Sequence, residues 1–537
     1  MMTTDSAAPA NPDSQPSNVV AATKGKQHFG AKMILSVLIM CMGTTTYSYN
    51  AGVIASTIGQ PSFYAYMGLD QSSHTTALIG ATTALYYAGG IFGACAANVA
   101  ADLLGRKMAL YIGTFVSLAA VALTAGSVHI SMFIVFRFFA GFGGFMLFVC
   151  VPLWITEVVP PEVRGAFAQF HGVFTSLGYM LSSYVGVGFY TNKSIQALSA
   201  WRGPLAIGVL PPLLFLTGLW WVPESPRFLL MKARTDQAWD IIRRFHSKPG
   251  EDDTRYVEAE VFQMRNQIEL DRTLPSSWTF MFRTPSMRKR MWMTVFIVFA
   301  VLSSGNLSIA TFATIILSHT GWDPLAQLNI QAGMIASVIP GLLAAIWFTE
   351  KFRRPTMMAT GLAGLCVLLS VYTAIAASMH LADGGHRVAQ IGGVVILYLY
   401  QIWGCAWSEG PLAYWAAEFY PTHLRARGQT ITVVSYGAFS ILWGQCTPTA
   451  IANLGWKFFL VFICITFVTT NVIYWYFPDT QGKTLEEIAL LFGDDDLVVV
   501  RQQDIHIDAN HHITAKMHNK VKDGAMVEIV EDIKEAA

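Results

Sequence analysis

Twelve stretches of this chain are each long and apolar enough to cross a lipid bilayer as a helix, and no other feature restricts its fold as much. Crossing takes roughly 20 apolar residues, because a helix rises about 1.5 Å per residue across a hydrocarbon layer of about 30 Å. The stretches run approximately over residues 33–54, 75–100, 108–125, 132–155, 167–190, 204–222, 291–317, 330–348, 357–377, 388–417, 430–451 and 458–476. Composition agrees with this reading: 53% of residues are hydrophobic and 13% charged, where a soluble domain carries about 25% charged residues. The net charge of +1 suggests no nucleic-acid partner, and no Gly-x-x-x-x-Gly-Lys-Ser/Thr loop offers to cradle nucleotide phosphates. All seven cysteines lie in apolar segments, where a thiol packs as a small hydrophobe, so no disulfide and no metal cluster is expected.

The chain divides into five regions. Residues 1–32, rich in Ser, Pro, Asn and Ala, read as a disordered tail without the apolar core of a cleavable signal peptide. A first six-span bundle covers 33–222 and a second covers 291–477. Between them, 223–290 carries apolar residues at helical spacing, Trp239, Ile242 and Phe245 among them, and reads as short amphipathic helices at the membrane face. Residues 478–537 form a polar C-terminal tail.

Lys and Arg are retained on the cytoplasmic side of membranes. The even-to-odd loops carry Arg106, Lys107, Arg164, Lys351, Arg353, Arg354, Arg425 and Arg427, whereas the opposite loops carry only Lys193, Arg202, Arg387 and Lys457. Both termini are therefore expected in the cytoplasm, with the plasma membrane as the expected location. Asn192-Lys-Ser194, in an outward loop, is a weak glycosylation sequon.

The two halves echo each other. Asp102-Leu-Leu-Gly-Arg106 between spans two and three is matched by Glu350-Lys-Phe-Arg-Arg354 between spans eight and nine. Glu157 and Arg164 flank the loop after span four as Glu418 and Arg425 flank the loop after span ten. Repeats at matching places imply two homologous bundles facing each other across a cavity.

With these motifs in view, the chain resembles the sugar porter family of the major facilitator superfamily. The resemblance covers nearly everything from Tyr49 to Ile488. It is carried by Asp102-Leu-Leu-Gly-Arg-Lys107, Arg137-Phe-Phe-Ala-Gly-Phe-Gly143, Val151-Pro-Leu-Trp-Ile-Thr-Glu-Val-Val-Pro160 and Pro223-Glu-Ser-Pro-Arg227. Glu418-Phe-Tyr-Pro-Thr-His-Leu-Arg-Ala-Arg-Gly428 and Pro478-Asp-Thr-Gln-Gly-Lys-Thr-Leu-Glu-Glu-Ile488 complete the set. It implies an all-α membrane protein of twelve transmembrane helices in two pseudo-symmetric six-helix bundles with a cytoplasmic helical linker. It also implies a monomeric secondary carrier, not an enzyme, with no cofactor, whose partners are a small-molecule solute and the bilayer. The charged residues at the helix ends, Asp102, Arg106, Glu157, Arg164, Glu224, Arg227, Glu350, Arg354, Glu418 and Arg425, would then be gating residues whose pairs break as the halves tilt; the plainer reading is charges that anchor helix ends.

The solute site departs from the family pattern. Glutamines of spans five and seven are replaced by Gly172, Val301 and Leu302; the span-ten Trp is Tyr414; span eleven offers Ser435 and Phe439 where asparagines would stand. Each unmatched buried hydroxyl of a sugar costs about 1–3 kcal/mol. The resemblance therefore implies a sugar or sugar-like solute, and the altered cavity implies a less hydroxylated metabolite, such as a carboxylic acid or secondary metabolite. A non-transporting sensor is a third reading, and the tail lacks the repeated motifs it would need. The candidate solute-binding residues are Asn50, His171, Ser304, Asn306, Glu409, Tyr414 and Ser435. Asn50 stands where proton-coupled relatives have an aspartate, which favours facilitated diffusion. Glu409, about 13 Å from the charged end of span ten, is either a proton- or solute-binding carboxylate or a protonated carboxyl bonded to a neighbouring helix. His171 lies at comparable depth, and Arg137 is expected to brace helices.

Overall fold

The structure, a computed structural model, describes residues 31–537 apart from 71, 160–163, 193–196, 247–254, 275–276, 350, 382–386, 422–423, 482–487, 489–490, 493–504, 508–512, 521–525 and 534–537. The expectations for residues 1–30, for Glu350 and for Lys193 and Ser194 of the sequon fall outside the described residues; Asn192 itself is exposed after span 5.

Twelve helical spans follow in order. Spans 1 to 5 are Ala31–Ile58, Thr75–Leu103, Arg106–Ala125, Ile130–Val158 and Arg164–Thr191. Span 6 joins Ala197–Ile207 to Leu210–Leu219, and span 7 joins Pro285–Leu302 to Asn306–Thr311 and Ala313–Ser318. Span 8 is Pro324–Ala336 with Val338–Thr349, and span 9 is Arg354–Leu381. Span 10 runs Arg387–Gly404, then a π-helical turn Cys405–Glu409, then Gly410–Glu418. Span 11 is Arg425–Leu454 and span 12 is Phe458–Tyr476.

By length and hydropathy alone, nine helical stretches among the described residues can cross a membrane, and one of them, Arg425–Tyr476, contains both spans 11 and 12. Spans 1 and 5 stand outside that set although each is 28 residues long. Both carry runs of small polar residues, and these turn inward. Thr46 and Ser48 in span 1 donate to Met42 O and Thr44 O at 3.3 and 3.1 Å, and Ser183 in span 5 donates to Tyr179 O at 3.1 Å. Hydroxyls satisfied on their own helix can be buried without cost to the backbone ladder.

Spans 2 and 4 touch backbone to backbone. A Cβ on Gly89 would lie 1.8 Å from Phe138 O, and one on Gly141 would lie 1.8 Å from Tyr86 O. Small residues permit this approach, which in a bilayer replaces the hydrophobic drive for helix association. The halves meet along span 2 with span 11 and along span 5 with span 8. Asn98 Nδ2 donates to Thr430 Oγ1 at 2.8 Å near the charged end, and Gln445 Nε2 donates to Ala77 O at 3.1 Å at the other. Lipid-facing positions carry exposed Phe92, Phe115, Phe139, Val367 and Phe467. Trp220, Trp221, Trp475 and Tyr476 are exposed at the ends of spans 6 and 12, as an interfacial belt requires.

The linker contains helices Pro226–Met231, Thr235–His246, Arg255–Thr273 and Trp278–Arg283. Leu229, Leu230, Ala238, Ile242, Val257 and Val261 form a small core of their own there. Outside the membrane helices, the C-terminal tail adds an antiparallel meander of strands Ile505–Ile507, Ile513–Lys520 and Met526–Ile533. The alternation Val527, Ile529, Glu531, Ile533 against Glu528, Val530, Asp532 suits a strand more than the helix period.

Gly141→Val is expected to lower the thermal unfolding midpoint of the detergent-purified protein, with an overpacking cost of about 3 kcal/mol. Gly172→Ala, whose added Cβ meets nothing within 4 Å, is expected to leave the midpoint unchanged or raise it.

Candidate solute site and charged rim

Two of the breaks in helix geometry, in spans 7 and 10, lie against each other. Span 7 opens at Ser303-Ser304-Gly305, where Gly305 has φ +94° and a Cβ would lie 2.7 Å from the Phe462 ring, so only glycine fits. The break is held from neighbouring spans: Tyr400 Oη donates to Ser304 O at 2.6 Å, and Trp443 Nε1 donates to Ser303 Oγ at 3.1 Å. Span 10 widens into its π turn just before Pro411, whose ring cannot donate to the 407 carbonyl. The Gly410 N–H reaches Cys405 O instead. Such π turns inside α-helices are frequent at functional sites.

These breaks bring together Asn306, first residue of the resumed span 7, and Glu409, last residue of the π turn. Asn306 Nδ2 donates to Glu409 Oε1 at 2.6 Å, and Cys405 Sγ donates to Glu409 Oε2 at 3.4 Å. Glu409 is half-buried and Asn306 buried. Across the midplane, Tyr47, Tyr86, Tyr87, Phe145, Phe148 and Tyr179 of the first half form a ring cluster. Tyr436 of span 11 joins it, with its ring 6.3 Å from that of Tyr87. The Glu409 carboxylate lies within electrostatic reach of Tyr87, Tyr179 and Tyr436.

The remaining expected solute ligands are placed less directly. Asn50 is buried, its side-chain amide donates to Thr46 O at 2.9 Å, and its backbone carbonyl accepts from Arg137 Nη1 at 2.5 Å. Arg137 also donates to Thr82 O at 3.3 Å and lies 4.4 Å over the Tyr86 ring, so it ties spans 1, 2 and 4 together as expected of a bracing residue. His171 Nδ1 lies 2.8 Å from Thr44 Oγ1, and its ring stacks 5.1 Å from Phe148. The Ser304 hydroxyl turns back to Val301 O at 2.7 Å. Ser435 is buried in span 11. The Tyr414 side chain falls outside the described residues. Val301 and Leu302 are buried in the core of the second half. Direct contact thus joins Asn306 and Glu409.

At the charged end, each half builds one ion-pair triad. Arg106 makes a bidentate bond to Glu157, Nε–Oε2 at 2.9 Å and Nη2–Oε1 at 2.7 Å, and Ser225 Oγ donates to the same carboxylate at 2.5 Å. Asp102 lies 3.5 Å from Arg106 as a secondary, exposed partner. In the second half Arg354 binds Glu418, with Nη2–Oε1 at 2.8 Å, and Thr480 Oγ1 donates to Glu418 Oε2 at 2.5 Å. The acid before each hydroxyl also repeats. Glu224 accepts the Lys107 N–H at 3.1 Å and Asp479 accepts the Arg354 N–H at 3.2 Å. Burial pushes the Glu224 carboxyl above its ordinary range, opposed by the N–H groups of Ser225 and Lys107. Gly105, with φ +103°, leaves the space that Glu224 occupies: a Cβ there would lie 2.4 Å from its Oε2.

Both pairs lie within a half, whereas the sequence suggested pairs that cross between halves. The Arg164 side chain is outside the described residues; Arg425 opens span 11 and Arg227 sits in the first linker helix. Ser225, Asp479 and Thr480 were missed. The signal for them was a third internal repeat, Pro223-Glu-Ser225 and Pro478-Asp-Thr480.

Two helical bundles related by repeat, broken helices at the midplane and charged triads at one end define a membrane carrier of the major facilitator fold. Residues 36–492 match the family described as "Sugar (and other) transporter", and the chain belongs to that family. Among curated relatives it is similar to the MFS-type transporter criB of Aspergillus cristatus, 26% identical over 87% of this chain and 94% of that one. It is 23% identical to Sugar transport protein 11 of Arabidopsis thaliana, over 86% and 92% of the two chains. The solved structure of XylE, the proton:xylose symporter of E. coli, bound to 6-bromo-6-deoxy-D-glucose, shares its fold. That likeness has a TM-score of 0.72 at 19% identity over 86% of this chain and 99% of that one.

Glu157→Gln leaves a buried guanidinium without its charge partner and is expected to cost about 3–5 kcal/mol. Arg353→Ala is expected to cost under about 1 kcal/mol, because Arg353 pairs with Asp479 while 76% exposed. Thermal melts of the two purified variants beside the native protein check the contrast.

Proposed function

We propose that this carrier moves a small organic solute, less hydroxylated than a hexose, by alternating access of its two halves around the midplane. The observation that carries this reading is the composition of the layer where the halves meet. Tyrosine rings from both bundles meet there, and the acid–amide pair Asn306–Glu409 joins spans 7 and 10. A hexose needs several convergent donors and acceptors, and Val301 and Leu302 withdraw two of them into the core. A sugar is the second reading, favoured by the description of the family itself.

The rim residues Asp102, Arg106, Glu157, Arg164, Glu224, Arg227, Glu350, Arg354, Glu418 and Arg425 are proposed to serve gating by stiffening the ends that move, in place of pairs that break between the halves. Because Arg106–Glu157 and Arg354–Glu418 each close within a half, they keep the charged end of each bundle rigid while the halves tilt as bodies. The Lys and Arg bias supports a cytoplasmic charged end, with both chain termini on that side and the plasma membrane as location. A monomer as the working unit belongs to the same reading.

Passive transport is the coupling we favour, since the amide at Asn50 cannot titrate beside Arg137. In proteoliposomes a saturable counterflow is expected that an imposed proton gradient does not drive. A sensor would show no counterflow of any solute. Gradient-driven uptake in the native protein that is lost in Glu409→Gln would replace facilitation by proton symport through Glu409. Asn50→Asp, which puts a titratable carboxyl where the native protein has an amide, is expected to make uptake respond to an imposed proton gradient.

A further inference from the structure

The carboxylate of Glu409 has no cation of its own. Its hydrogen bonds come from two neutral groups, Asn306 Nδ2 and Cys405 Sγ, and among the described residues no ion pair reaches it. Arg137, the other charge deep in the membrane, is occupied in the first half by two backbone carbonyls and the face of Tyr86. A second unmet demand lies beside the first. Asn306 is 2% exposed, and its carbonyl Oδ1 has no hydrogen-bond partner. Buried amide oxygens are almost always paired, so one left open next to a carboxylate marks a place where a donor belongs. A third feature lies near the first: the Tyr87 and Tyr436 rings, contributed by opposite halves, stand 6.3 Å apart, and Glu409 is within electrostatic reach of both and of Tyr179.

Each candidate solute class can be weighed against these three groups. A hexose brings donors for the carboxylate and for Oδ1 but leaves the negative charge uncompensated in a low-dielectric layer. A carboxylic acid in its ionised form meets like charge. A quaternary ammonium satisfies the carboxylate and the rings but has no N–H for Oδ1. A protonated primary or secondary amine satisfies all three, with one N–H to Glu409, another to Asn306 Oδ1, and its positive charge against the tyrosine faces.

We propose that the solute is a small organic amine carried in its protonated form, with Glu409 as counter-ion, Asn306 Oδ1 as acceptor, and Tyr87, Tyr179 and Tyr436 as the rings that hold the cation. The proposal rests on the carrier reading of the same site. It also gives the tyrosines a role in access: Tyr87 and Tyr436 sit on opposite halves and touch edge to face, so that contact opens as the halves part.

The test uses the full chain in proteoliposomes at pH 7, with matched probes that differ in charge alone. Phenethylamine, charged at that pH, is set against its neutral isostere 2-phenylethanol, with tyramine, butylamine, glucose and benzoate as further arms. Saturable counterflow of at least one amine is expected, with a tenfold or greater preference for phenethylamine over 2-phenylethanol. Glu409→Gln is expected to abolish that preference. Tyr436→Phe is expected to keep amine transport, and Tyr436→Leu to reduce it about tenfold, which separates a ring effect from a general loss of fold. Counterflow of glucose, benzoate or 2-phenylethanol without any amine overturns the amine assignment and leaves the carrier intact. Counterflow of no probe overturns both the assignment and the carrier reading. Amine transport that survives Glu409→Gln unchanged removes Glu409 from the site.

Discussion

Inside hydrocarbon there is no water to receive a stray hydrogen bond, and the placement of every irregularity in this protein follows from that constraint. Two of the breaks in the spans, span 7 at Ser303–Gly305 and span 10 at Cys405–Glu409, lie against each other. The first is closed by side chains from other spans, Tyr400 onto Ser304 O and Trp443 onto Ser303 Oγ, and the second by its own helix, Gly410 N–H onto Cys405 O. The freed polarity is thereby concentrated in Asn306 and Glu409, at the depth where a carrier needs it.

The same constraint explains the contrast between the midplane and the rim. At the rim two ion pairs close, and a hydroxyl takes a further lone pair of each: Arg106–Glu157–Ser225 in one half and Arg354–Glu418–Thr480 in the other. These are closed units, and because they close within a bundle they add rigidity without locking the bundles together. At the midplane Glu409 and Arg137 lie in different halves without pairing. Arg137 is dissolved in backbone carbonyls and a ring face; Glu409 is left with neutral donors. One half therefore presents a neutralised cation and the other an open anion, an asymmetry that the pseudo-symmetric scaffold does not by itself require.

Much of the scaffold was legible because hydropathy acts on whole segments. Ten spans are plain by length and composition, and the repeats at Asp102–Arg106 and Glu157–Arg164 located the second bundle. Spans 1 and 5 were legible by length but are too polar by composition, since their hydroxyls are satisfied on their own helix and hidden from lipid. Which charges pair was not legible. Glu157 and Arg164 are seven residues apart in the chain, yet Glu157 bonds Arg106, which comes from another helix end. Helix packing, not sequence spacing, decides that partner. The π turn was marked only by Pro411, and the strands of the tail only by a short alternation that a helix period can imitate.

Span 7 changes character at its break. Val301 and Leu302, just before it, are buried in the core of the second half, where apolar side chains gain by leaving water. Just after it, Asn306 turns its amide to Glu409. Under the reading proposed above, recognition in this layer rests on one charge with aromatic walls, which reads charge and apolar shape, in place of a distributed set of hydrogen bonds, which reads hydroxyl stereochemistry. The bundles can tilt in the same way for either kind of solute, because the closed triads at the rim, Arg106–Glu157–Ser225 and Arg354–Glu418–Thr480, lie outside this layer.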